Sequence, residues 1–326
     1  VPPLDADSFR QFVTANAGVI DVSHLSGGFE LTQVRWIANS DLLVLIFSDH
    51  KSWPPFSLLL RMVSVTSGNL VFALQLRSER SECAIETKDH LLLIGNGKHL
   101  DVYDMNTSSL LHTFPVGGRI SNINLVPDSP QAYVSALDNR YLIDLDNFTS
   151  TLIPLPNDDA YWVAVHPETL VALSETYNSY GEMTFMIARN LADGSKIAEI
   201  CIGGKNLTTT FKYIPPLGLF VLSNDESSSD QIVELYDPRT FETVSVAQKP
   251  VDFKEFLYLS GTNFILAYWT DKLLDVTDWS IASTLPAVTD PSNPRKKYEF
   301  SIHDWNESLR SIVSGTKEGK LRFAII

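Results

Sequence analysis

Two cysteines in 326 residues, Cys83 and Cys201, are too few for a disulfide framework and too far apart for a zinc site of clustered thiolates. Both are expected to be buried free thiols. No apolar run approaches the roughly 18 residues of a membrane span, and nothing at the start reads as a signal peptide. The folded chain is therefore expected to be soluble, with no membrane among its partners. Basic residues are scarce as well: 25 Lys and Arg against 39 Asp and Glu leave a formal net charge of −14. A general nucleic-acid binder needs a basic footprint for phosphates, so nucleic acid is not an expected partner.

Catalytic motifs are missing too. The seven histidines, His24, His50, His90, His99, His112, His166 and His303, form no H-x-H, H-E-x-x-H or Cys/His pairing. "SGTK" at 314–317 matches an acylating Ser-x-x-Lys only on paper, because it falls where a strand meets a turn and not on a helix. There is no G-x-S-x-G elbow and no dinucleotide fingerprint. The chain is not expected to be an enzyme, and neither a cofactor nor a metal is expected.

What the sequence does contain is a core and a rhythm. A hydrophobic fraction of 44% suits a globular chain. Seven short apolar runs, "DLLVLIFS" (41–48), "HLLLIGNG" (90–97), "QAYVSAL" (131–137), "TLVALSE" (169–175), "GLFVLSN" (218–224), "NFILAYW" (263–269) and "LRSIVSG" (309–315), each read as the second strand of a repeat unit. After six of them comes a further strand, a polar turn and another strand. Ser64, Asp104, Asp144, Asn190, Asp237 and Asp275 mark equivalent turns at steps of about 40, 40, 46, 47 and 38 residues, the period of propeller blades. Asp and Asn suit such turns because they bond their own backbone, and the abundant carboxylates need no other explanation.

The C-terminal unit has room for three strands only, while "GVIDVSHLS" (18–26) is an orphan strand. Pairing the two fragments completes a seventh unit and removes two exposed edges. The predicted fold is an all-β, single seven-bladed β-propeller over residues 18–326, closed by an N-terminal strand in the C-terminal blade. Residues 1–17 form a lead with a short helix at "SFRQF", capped by Ser8, that covers the closing blade. Gly-Gly pairs at 27, 117 and 203 are expected where the chain crosses from one blade to the next and turns sharply.

"VAVHPETLVALSE" (163–175), "INLVPDSPQAYVSALDNRYLIDLD" (123–146) and "SLRSIVSGTKEGKLRFAII" (308–326) resemble the strand-turn-strand pattern of the WD-repeat superfamily of β-propellers, in a divergent form. No Trp-Asp dipeptide ends a third strand and no Gly-His pair heads a blade, so the superfamily's usual Asp-His-Ser-Trp network is not expected. The resemblance implies a non-catalytic platform that gathers partners. Two alternatives are a secreted propeller enzyme of lactonase or lyase type and a carbohydrate-binding propeller.

Three connections exceed minimal length: 48–57 with Trp53 and Phe56, 175–183 with Tyr177 and Tyr180, and 285–300 with Arg295, Lys296 and Lys297. All are expected at the end of the fold where the Gly-Gly crossings lie, near Arg119 and Lys205. Aromatic anchors beside cations suit a protein or peptide partner, acidic or phosphorylated. These nine residues are the predicted partner-binding set.

Overall fold

The computed structural model describes residues 9, 11, 19–37, 40–49, 56–78, 84–136, 139–153, 160–178, 181–203, 210–223, 232–251, 253, 255–268, 270–290 and 293–326. After β1 (Val19–Asp21), the first four-stranded sheet contains β2 (Glu30–Trp36), β3 (Leu42–Ser48), β4 (Phe56–Ser64) and β5 (Leu70–Ser78). The second has β6 (Ile85–Lys88), β7 (Leu91–Asn96), β8 (His99–Asp104) and β9 (Ser109–Pro115), and the third β10 (Ile120–Leu125), β11 (Gln131–Ala136), β12 (Asn139–Asp144) and β13 (Thr149–Ile153). The fourth comprises β14 (Ala160–Val165), β15 (Thr169–Asn178), β16 (Gly181–Asn190) and β17 (Lys196–Gly203), and the fifth β18 (Thr210–Ile214), β19 (Leu219–Ser223), β20 (Ile232–Tyr236) and β21 (Thr243–Gln248). The sixth has β22 (Phe256–Tyr258), β23 (Phe264–Ala267), β24 (Lys272–Asp275) and β25 (Ile281–Thr284). A two-stranded ribbon, β26 (Thr289–Asp290) and β27 (Asn293–Lys297), precedes β28 (Ile302–Asn306), β29 (Ser311–Gly315) and β30 (Lys320–Ile325). The last three join β1 in a seventh sheet of order β1-β30-β29-β28, so the fold is a seven-bladed β-propeller closed as predicted.

The repeated turn has one geometry. In each of the six hairpins between third and fourth strands, the residue four places after the marker is left-handed: Gly68, Ser108, Phe148, Gly194, Phe241 and Trp279, with φ between 49° and 72°. The marker's oxygen caps the turn from inside, as where Asp237 Oδ1 accepts the N–H groups of Arg239 (2.7 Å) and Thr240 (2.9 Å). Bulky residues are costly in this conformation. Phe241 and Trp279 offset that cost by burial, at 1% and 7% exposure.

The chain forms two compact units, Val1–Pro115 with Leu259–Gly261 and Leu285–Ile326, and Val116–Tyr258 with Thr262–Thr284. In the first unit β3 is apolar from Leu42 to Phe47 because both of its faces are covered. Leu43, Leu45 and Phe47 join Leu31, Val34, Val313, Leu321 and Phe323 on one side, whereas Leu42, Val44 and Ile46 join Leu92 and Ile94 on the other. The second unit repeats the scheme: in β19, Phe220 and Leu222 pack with Val171 and Met186 of the fourth sheet, while Val221 packs with Ile265 and Leu274 of the sixth.

Closure rests on a short antiparallel pairing, Val19 with Arg322, Ile20 with Leu321 and Asp21 with Lys320. Burial pushes the Asp21 carboxyl up, but bonds from Lys320 and Ser23 outweigh it and hold the group down at about 2. Phe9 seals this region. It has helical backbone, is fully buried, and meets Trp36 and Phe323 edge-on at centroid distances of 5.9 and 6.0 Å. Gln11 is also helical and exposed, while Ser8 and the other residues of the predicted helix lie outside the described residues.

The pairs at 27 and 117 fall between a fourth strand and the next first strand, as predicted, but for two reasons; Gly203 is instead the last residue of β17, and Gly204 lies outside the described residues. Gly27 and Gly28 have φ of 58° and 91°, so the turn demands them. At Gly117 the reason is proximity: a β-carbon there would press on the end of the Asn139 side chain, and the Gly117 N–H donates to Tyr141 Oη at 2.9 Å.

Trp36 stitches three first strands of unit one through its backbone. Its N–H donates to the Asp304 carboxylate of β28, and its carbonyl accepts from Thr87 Oγ1 of β6 at 3.1 Å. Burial drives the Asp304 carboxyl up to about 6, against the pull of Arg35 and of the Trp36 N–H. Because the folded state holds this proton above the ordinary carboxylate range, the contribution of Asp304 to stability falls as pH rises from 3.8 to about 6.

Two outcomes are expected. Phe9→Ala should lower the unfolding free energy by about 3 kcal/mol in urea denaturation, because it empties a fully enclosed site. Asp304→Asn should match the parent near pH 4 and gain on it by up to about 3 kcal/mol by pH 7. A difference between parent and Asn variant that stays constant with pH would show that Asp304 does not titrate in this window.

Candidate interaction surface

In a four-stranded antiparallel sheet the turns between strands one and two and between strands three and four share one end, here the turn end. The connection between strands two and three and the link to the next sheet share the other, the crossing end. Of the predicted residues that are described, Phe56, Arg295, Lys296 and Lys297 belong to the crossing ends of unit one, and Arg119 and Tyr177 to those of unit two.

Two of the three long connections are more regular than expected. The stretch 175–183 is no loop: β15 and β16 pair as far as Asn178 with Gly181, and Tyr177 is a strand residue opposite Glu182. Alternating polar residues in "ETYNSYGEM" hide this continuation, because Tyr and Thr suit a strand as well as a loop. Arg295, Lys296 and Lys297 likewise lie in β27, where Lys297 pairs with Thr289. Phe56 opens β4 opposite Ser78. Trp53, Tyr180 and Lys205 lie outside the described residues, as do the side chains of Phe56, Tyr177, Arg295, Lys296 and Lys297. Arg119 is half-buried directly before β10.

The ribbon β26–β27 has a built foundation that the sequence reading missed. Arg322, 1% exposed in the middle of β30, donates from Nη1 to the Pro286 carbonyl at 3.0 Å and from Nη2 to Ser314 Oγ at 3.2 Å. Its guanidinium lies 4.3 Å from the centroid of the Phe300 ring. Pro286 and Phe300 flank the ribbon on either side, so one buried cation holds both of its feet. His303 Nδ1 meets Ser314 Oγ at 2.9 Å, which extends the network into β28. A His-Ser pair is thus present, but its third member is Arg322 and not a tryptophan. The signal was a lone charge between Leu321 and Phe323, since an arginine inside an apolar strand requires bonded partners.

The turn ends are acidic by construction. Asp128, Glu168, Asp193, Asp237 and Asp278 fall in strand-one-to-two or strand-three-to-four turns of unit two, and Asp144 ends β12 at such a turn. The oxygens of Asp144, Asp193, Asp237 and Asp278 accept N–H groups of their own turns. Bonds from Asn147 lower the Asp144 carboxyl, and backbone N–H groups of Thr240 and Arg239 lower that of Asp237. His166 is part of the same scaffolding: its Nδ1 accepts the Glu168 N–H at 3.2 Å, and its ring meets Tyr213 edge-on at 4.7 Å. Burial pushes its pKa down. The exposed Arg239–Glu168 pair at 3.2 Å adds well under about 1 kcal/mol. Among the described residues no group of three or more His, Cys, Asp or Glu is placed to hold a metal ion, and no helix is long and apolar enough to cross a membrane.

Cys201 corrects the expectation of two buried thiols. It is exposed on β17, the fourth strand of its sheet, where one side lacks the cover that inner strands enjoy; Cys83 lies outside the described residues.

No family model and no curated protein matches the sequence. Solved structures do. The Cps50 (Swd1) β-propeller domain of Myceliophteria thermophila aligns at 12% identity with a TM-score of 0.60, covering 91% of this chain and 96% of that one. A chain of a mitotic checkpoint complex aligns at 10% and 0.60, covering 95% and 89%. A chain of Kuenenia stuttgartiensis hydrazine synthase aligns at 14% and 0.61, covering 94% and 99%. With seven four-stranded sheets closed through β1, the chain has the fold of a seven-bladed β-propeller.

Proposed function

We propose that this protein is a non-catalytic interaction platform, and that it recruits an acidic or phosphorylated protein segment at the crossing ends of its sheets. The observation that carries the reading is the β26–β27 ribbon. It is additional to the seven sheets, it is held at both feet by Arg322, and it carries three consecutive cations in a chain of net charge −14. A minority charge gathered on a supported backbone is what recognition of carboxylates or phosphates requires, since arginine can hold either in bidentate fashion. Trp53 and Phe56, from the connection into β4 of the same unit, supply the aromatic component that interfaces favour. The propeller domain and the checkpoint-complex chain among the similar folds support a role in assembly. Nucleic acid and membranes stand outside the proposed partner class because most of the surface charge would repel them.

The test is a partner captured from a lysate, identified by mass spectrometry and titrated against two variants. Reversing Arg295, Lys296 and Lys297 to Glu should weaken binding at least about tenfold, most strongly at low salt, and Trp53→Ala should weaken it independently of salt. Variants that fold and bind like the parent would remove the crossing end as the site.

A further inference from the structure

In the second sheet β7 and β8 are joined by Gly97 and Lys98 alone, and their ladder closes at the pair Asn96–His99. Asn96 and Gly97 are the one Asn-Gly dipeptide in the sequence. Gly97 is left-handed, with φ of 60°, as the first position of a two-residue hairpin connection requires.

The fold leaves this dipeptide open. Asn96, Gly97, Lys98 and His99 are all exposed, and Gly97 stands in open space, with nothing within 4 Å of where a β-carbon would sit. Among the described residues no hydrogen bond holds the Asn96 carboxamide. Because the ladder ends at Asn96 and His99, the Gly97 N–H lies outside it, and opening the tip disturbs only that last pair. The turn between β16 and β17 offers a contrast. Its Asp193–Gly194 dipeptide is held, since Asp193 Oδ1 accepts the Ser195 N–H at 2.9 Å and bonds from Ser195 lower the carboxyl. An ionised carboxylate resists attack by a nucleophile, whereas a neutral carboxamide does not.

We propose that Asn96 is a site of spontaneous modification, at which the chain converts its own carboxamide to a carboxylate. The main-chain nitrogen of Gly97 gives its proton to solvent and attacks Asn96 Cγ. A succinimide ring closes as this C–N bond forms; the bond from Cγ to the amide nitrogen breaks, and the nitrogen leaves as ammonia with a proton taken back from solvent. Water then adds to either ring carbonyl. Cleavage between Cγ and the Gly97 nitrogen gives aspartate on an unchanged main chain, and cleavage at the α-carbonyl gives isoaspartate. One water is consumed and one ammonia released, with no oxidant or reductant. Glycine favours the closure, since a β-carbon at position 97 would crowd the attacking nitrogen.

Either product sets a negative charge next to Lys98, at the crossing end of unit one. Isoaspartate also lengthens the main chain between positions 96 and 97, which so short a connection cannot absorb while keeping the Asn96–His99 pair.

The full chain, kept folded in mildly alkaline buffer at physiological temperature, tests this by peptide mapping. The tryptic peptide 89–98 contains Asn96 as its only asparagine; it should gain the mass of the acid and become a substrate for isoaspartyl methylation before any other asparagine-containing peptide does. Conversion should run within about tenfold of its rate in the urea-unfolded chain, because only the hairpin tip must open. Asn96→Gln, whose ring would be one atom larger, should slow it at least about tenfold with melting unchanged. A folded chain that keeps Asn96 intact while the unfolded chain converts, another asparagine that converts first, or a Gln variant whose peptide 89–98 converts as fast as the parent's would each overturn the proposal.

Discussion

The constraint on which this structure depends is that a four-stranded sheet here hides both of its faces. In β3, Leu43, Leu45 and Phe47 serve one core and Leu42, Val44 and Ile46 the other; β19 divides Phe220 and Leu222 from Val221 in the same way. Burial on two sides explains why second strands read as unbroken apolar runs and not as the alternation of a half-exposed sheet. It also limits where function can reside, because side chains within the sheets are committed to packing. What remains is the turn ends, the crossing ends and the outer edges.

These three surfaces are chemically distinct. At the turn ends the carboxylates are drawn into the backbone, as at Asp144 and Asp237, so their negative potential is a by-product of hairpin geometry. At the crossing ends the connections vary in length, and the ribbon supported by Arg322 stands apart from the repeat. Outer edges are guarded by charge as in β17, by proline as in β9 or by brevity as in β25.

Much of the fold was legible because its rules are local. Second strands announce themselves by apolar run, hairpins by a bonded Asp or Asn, and closure by simple counting of strands. What was not legible depends on contacts between distant residues. Phe148, Phe241 and Trp279 occupy left-handed positions where glycine would be the local choice, and burial of Phe241 and Trp279 explains why bulky residues are retained there. Arg322 looked like one residue of an apolar strand until Pro286, Phe300 and Ser314 converged on it. The candidate site was read from loop length and composition, and that signal misjudged 175–183, where paired strands run on to Asn178.

The pairing of β1 with β30 has a consequence for how the chain is made. β1 is made well before β30, its hydrogen-bonding partner. Until β29 and β30 have been made, the side of the first sheet formed by Leu43, Leu45 and Phe47 lacks Val313, Leu321 and Phe323 to cover it. A nascent chain of this protein therefore displays greasy surface from the emergence of β3 to that of β30. Such a chain folds late, through its most sequence-distant contacts, and depends on cellular folding helpers more than its length alone would suggest.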